Sequence, residues 1–162
     1  MRRKRFDWAG RIRELAAKHD LPIDEKALAS ATSDDIMLLV LNAFPDRAFS
    51  LSALDTESEA LELITNCGEV AGDEFSPRDV RVAVSDRGRS YRVEFAWQKA
   101  RTTLELNATG PGEAIAAFSQ QLPGRFVYFV GVIHALLYVP ATAALDFREL
   151  AETHHKRELG EA

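Results

Sequence analysis

His154 and His155 stand side by side near the end of the sequence, with Glu158 four residues beyond the first, and imidazole with carboxylate is a common ligand set for zinc. Consecutive helical residues point about 100° apart, so the two imidazoles share no face, and one histidine with one glutamate falls short of a site. They read as a solvated tail without a metal. His134 is isolated and carries no role. Cys67 is the single cysteine; it rules out an internal disulfide framework and, with no activating base nearby in the sequence, reads as a small buried hydrophobe in a helix. Gly110-Pro111-Gly112-Glu113 opens a helix, where free amide N–H groups could take phosphate. No lysine follows at P-loop spacing and no G-x-G-x-x-G is present, so loop and cap chemistry accounts for it.

The remaining candidates are charged side chains in the stretch 79–108, and their meaning depends on how strands position them. The stretch alternates with period 2, which predicts three strands with one packed and one wet face. Val80, Val82 and Val84 make one apolar row; Tyr91, Val93, Phe95 and Trp97 make a second; Leu104 and Leu106 make a third. A two-residue turn at Arg87-Gly88 pairs Val84 with Tyr91, Val82 with Val93 and Val80 with Phe95. A second at Lys99-Ala100 would pair Phe95 with Leu104 and Val93 with Leu106, although alanine suits such a turn poorly and a longer loop is the alternative. On the wet face this register sets Arg81 opposite Glu94 and Glu94 opposite Glu105, with Arg81, Arg92 and Arg101 as the local cations. Like charges directly opposite are destabilising unless a cation or a partner answers them. Arg81, Arg92, Glu94 and Glu105 are therefore the expected partner-binding residues. No catalytic residue is assigned, because acid/base work by two carboxylates needs a desolvating cleft that the sequence does not indicate.

A chain of 162 residues with 46% hydrophobic and 28% charged residues fits one globular domain, 1–162, with a helical part over 1–76 and a sheet-containing part over 77–162. Its formal net charge of -5 disfavours general attraction to nucleic acid. Arg2, Arg3, Lys4 and Arg5 are the exception, a basic cluster that could meet an anionic partner such as nucleic acid or lipid headgroups. Asp7, Arg11, Arg13 and Glu14 interrupt any apolar signal region, and the run from Phe126 to Val139 is too short to span a bilayer as a helix. A cytoplasmic protein without a cofactor is expected.

In chain order, Asp7 caps a helix with Trp8, Ile12, Leu15 and Ala16 on one face; Asp24 caps a short piece through Leu28; Ser33 starts a helix, apolar nearly all round, that Pro45 ends. Thr56 and Glu59 have capping-box spacing ahead of a helix running to Gly72. After the three strands come a helix with Ile115, Phe118 and Leu122, strands over 126–130 and 135–139 with a reversal at 131–134, and a last helix. A single helix over 126–138 is the alternative. The sum is an α+β fold: N-terminal helices, then β-β-β-α-β-β-α, a mostly antiparallel sheet with helices on its apolar face. In element order it is similar to small acidic secretion chaperones that bind effector polypeptides, and acidic bacterial immunity proteins are comparable in size and charge. That likeness of topology and charge implies a non-enzymatic protein-binding module that neutralises or chaperones another protein, with a homodimer as one arrangement. The alternative is a small-molecule or nucleic-acid binder, or an enzyme with a pocket between sheet and helices around Tyr91, Arg92 and Trp97.

Overall fold

The computed structural model describes residues 6–32, 35–131, 133–158 and 160. The basic cluster Arg2, Arg3, Lys4 and Arg5, and the helix start at Ser33, lie outside the described residues. Helix α1 (Trp8–Lys18) begins where Asp7 accepts the Gly10 N–H at 2.9 Å, and it buries Trp8, Ile12, Leu15 and Ala16, the four positions its periodicity picks out. Asp24 caps α2 (Glu25–Ala29) in the same way, and Asp35 accepts from Met37 at 2.9 Å to open α3 (Ile36–Ala43). Strand β1 (Ala48–Leu51) follows, then α4 (Glu57–Ala71). At the start of α4 the Thr56 hydroxyl accepts the Glu59 N–H at 3.1 Å, while the Glu59 carboxylate takes the N–H of Asp55 at 3.2 Å rather than that of Thr56.

The fold class is α+β, and its strands form two antiparallel three-stranded sheets. Sheet A has the order β1-β6-β5, with β5 (Gly124–Phe129) and β6 (His134–Pro140) as a hairpin. Sheet B is the meander β2 (Arg78–Ser85), β3 (Ser90–Trp97), β4 (Ala100–Asn107). Val127, Phe129, Ala135, Leu137 and Val139 on one side of sheet A join α1, α3 and the last helix, α6 (Ala144–Glu158), in one core. Phe126, Leu136 and Tyr138 on the other side join α4, α5 (Gly112–Phe118) and the apolar face of sheet B in a second. Both α4 and α5 touch both sheets. Alternate strand residues thus feed two cores, which is why 135–139 is apolar without a break. The division into helical 1–76 and sheet-bearing 77–162 is corrected in one respect, since β1 lies in the first part and pairs with β6.

Turn chemistry fixes the register of sheet B. Arg87 (φ 56°, ψ 37°) and Gly88 (φ 85°) both take the left-handed conformation that a tight hairpin of this hand requires, and the Arg89 N–H closes on the Asp86 carbonyl at 3.1 Å. Val84 pairs with Tyr91 and Val82 with Val93, as expected. The expected Val80–Phe95 pair is not formed, because a bulge between Arg78 and Arg81, with Asp79 at φ 50°, shifts the start of the strand. The second turn sits at Gln98-Lys99, not Lys99-Ala100: Gln98 takes φ 56°, and the register moves by two residues, so Val93 faces Leu104 and Tyr91 faces Leu106. A two-residue shift keeps every side chain on its expected face and changes only its partners. No helix of the described residues is long and apolar enough to cross a membrane.

Candidate functional site

The wet face of sheet B gathers the partner-binding residues expected from sequence, but not in the expected row. Arg81 faces Glu94 as anticipated; Glu94 faces Thr103, and Glu105 faces Arg92. The opposed glutamates are a correction that follows from the Gln98-Lys99 turn. Arg92 Nε donates to Glu105 Oε1 at 2.9 Å, and Ser85 donates to the other carboxylate oxygen at 3.1 Å. Asp79, at the bulge, takes Arg81 at 3.3 Å and Arg101 at 3.0 Å, and Arg101 also reaches Glu94 at 4.0 Å. Every carboxylate of this face therefore has a guanidinium. Hydrogen bonding from Arg92 holds the Glu105 carboxyl below the usual carboxylate range, with burial opposing and Ser85 assisting. These side chains are largely exposed, so each pair contributes little to stability, and the four expected residues already answer charges within this face.

A second surface lies along the outer edge of sheet A. β5 is an end strand, and α5 and α6 stand on its two faces, leaving a groove of about 460 Å³ between them. In an antiparallel ladder alternate residues turn both backbone groups toward the same neighbour. Gly124 and Phe126 turn outward, and the fold answers them: Gly124 N–H donates to the Tyr138 hydroxyl at 2.9 Å and Phe126 N–H to Ser119 Oγ at 2.9 Å. Arg125 donates to the carbonyls of Ser119, Leu122 and Gly124 at 3.3, 2.7 and 2.8 Å. The sealing stops there. The carbonyl of Phe126 and both backbone groups of Tyr128 face the groove and meet no partner among the described residues. Ala116, Ala117 and Ala151 keep the walls low; Arg148, Glu152 and Lys156 line the α6 side and form no ion pair among the described residues.

Other residues weighed for chemistry have structural settings. Cys67 is fully buried, and burial pushes its thiol well above the ordinary range, as a small core hydrophobe requires. His154 is not in a solvated tail: it lies on α6, 4% exposed, edge-on to Trp8 and 3.5 Å from Glu158. Burial lowers its pKa, while Glu158 and Asp35 oppose the shift. His134 Nδ1 and the Tyr128 hydroxyl are hydrogen-bonded to each other, and burial, with Glu113 nearby, pushes that phenol up to about 12. Among the described residues no three His, Cys, Asp or Glu groups gather as metal ligands. Sequence reasoning missed the groove. Arg148, Glu152 and Lys156 at i, i+4 and i+8 were visible as a polar helical stripe, but nothing local says that the stripe borders the open edge of a strand twenty residues earlier.

No family model matches this chain, and no curated protein or solved structure matches it at a significant level.

Proposed function

We propose that this chain is a non-enzymatic, cytoplasmic protein-binding module that takes an extended segment of a partner along the outer edge of sheet A, thereby neutralising or chaperoning that partner. The observation that supports it is the pair of backbone groups on Tyr128 without a partner among the described residues, at the floor of a groove where Gly124 and the Phe126 N–H are capped from within and only the Phe126 carbonyl is left open beside them. Proteins normally blunt such an edge, because it templates strand addition. The wet face of sheet B, with Arg81, Arg92, Glu94 and Glu105, is the weaker docking surface because its charges already answer one another.

The test uses the full chain recovered from its own cells with whatever polypeptide accompanies it. Once that polypeptide is identified and purified, its affinity is measured against two variants. Ala117→Trp, at an exposed position on the groove wall, should weaken binding by tenfold or more. Glu94→Ala with Glu105→Ala should leave it within a factor of two. The reverse pattern moves the site to sheet B.

A further inference from the structure

Building on the edge reading above, we infer the side-chain pattern of the segment that binds there: an acidic residue, then a basic one, then an acidic one, at alternate positions of an extended strand. In short form the pattern is Asp/Glu-x-Lys/Arg-x-Asp/Glu. A residue added opposite Tyr128 would take both its outward N–H and its outward carbonyl. Directly opposed residues share a face, so this residue would point with Tyr128 toward α5, while its neighbours on either side would point with Val127 and Phe129 toward α6. Alternate residues of the incoming strand would therefore meet the α6 wall about every 6.7 Å.

That wall presents Arg148, Glu152 and Lys156 at four-residue intervals, which is about 6 Å of rise per step. The two repeats match, so successive α6-facing side chains would meet plus, minus and plus in turn. The signs read the same from either end; the direction is set by Tyr128, because only an antiparallel strand lets one opposed residue take both of its outward groups. None of the three wall charges is neutralised by an ion pair among the described residues, unlike the charges of sheet B. On the α5 side the intervening residues would lie over Ala116 and Ala117, which favours β-branched or other apolar side chains. No five-residue window of the chain has the acidic-x-basic-x-acidic pattern, so a partner of different sequence fits the groove better than a second copy.

A random nonapeptide phage library selected on the immobilised full chain tests this. The expected result is enrichment of acidic-x-basic-x-acidic peptides. The variant Arg148→Glu, Glu152→Lys, Lys156→Glu changes only exposed side chains and should invert the enriched pattern to basic-x-acidic-x-basic. N-methylation of the enriched peptide at the residue opposite Tyr128 should cost tenfold or more in affinity. Enrichment indifferent to the inversion overturns the charge pattern, and leaves edge binding standing if N-methylation still costs tenfold. Peptides insensitive to both N-methylation and Ala117→Trp overturn edge binding as well. Selection that enriches nothing over the bare support also overturns the pattern.

Discussion

Sheets A and B have the same number of strands and the same antiparallel pairing, yet they meet solvent in opposite ways. Sheet A is covered on both faces, with Ala135, Leu136, Leu137 and Val139 all at 0% exposure, and its rim along β5 is open. Sheet B packs Tyr91, Val93, Phe95 and Leu106 inward and leaves a whole face wet. The charged, conspicuous face is the more self-satisfied one: Arg81, Arg92 and Arg101 are already paired with its carboxylates. The buried sheet keeps its unanswered groups on the backbone, where composition does not reveal them. Unsatisfied polar groups, more than surface charge as such, mark where a partner has something to gain.

The largest effects should come from emptying the core of sheet A. Phe129 is fully buried between β6 and the helices on its face, so Phe129→Ala should cost about 3–5 kcal/mol, read as a lower midpoint in urea unfolding. Val84→Ala in sheet B, at a residue 48% exposed, should stay within about 0.5 kcal/mol. Equal costs would break the contrast between the sheets.

Next in size is Gly112. A Cβ there would stand 2.4 Å from Cε2 of Tyr128, so Gly112→Ala forces the ring or the start of α5 to move. Overpacking of this kind costs about 1–3 kcal/mol. Since Tyr128 also supplies the open edge groups, the variant should weaken partner binding along with stability. Pairing it with Tyr128→Ala in a double-mutant cycle should recover part of the stability loss; additive losses would place the strain elsewhere.

Legibility followed sequence distance. The buried face of α1, the Arg87-Gly88 turn and the β5–β6 hairpin are set by residues within a few positions of each other, and the sequence alone indicated them. β1 was not indicated: Ala48 to Leu51 is too short for a periodic signal and becomes a strand only because β6 offers its edge. The division into two sheets depends on α4 and α5 packing against both, a long-range matter. The β3–β4 register turned on Gln98 adopting a positive φ, which few non-glycine residues do and which the residue type does not announce. The groove combines Ser119, Tyr128 and the stripe from Arg148 to Lys156, and no single window contains them.

A smaller effect should appear with pH. The burial of His154 against Trp8 and Gly131, with Met37 packed on the same glycine, holds its folded pKa below the usual 6.5, so the unfolded chain binds the proton more readily. Its contribution is complete above about pH 6.5 and declines as pH falls through that value toward the folded pKa. Glu158 and Asp35 oppose the shift, and His155 adds to it. His154→Gln should flatten the stability profile between pH 7 and 5; an unchanged slope would mean that another group carries it.

The smallest effect is the most informative about sheet B, because its sign depends on register. Had Glu105 faced Glu94, Glu105→Gln would remove a like-charge repulsion and raise stability. With Glu105 facing Arg92, the same substitution removes an ion pair and a low-pKa carboxylate, and stability should fall by less than about 1 kcal/mol, since the pair is exposed and screened. The loss should shrink as salt is raised. It should also vanish as pH falls through the folded pKa of Glu105, because a depressed carboxyl stabilises only while ionised. A gain of stability at neutral pH and low salt would return the second turn to Lys99-Ala100, leave Glu94 and Glu105 opposed on the wet face, and make that face, not the rim of sheet A, the surface with charge left to satisfy.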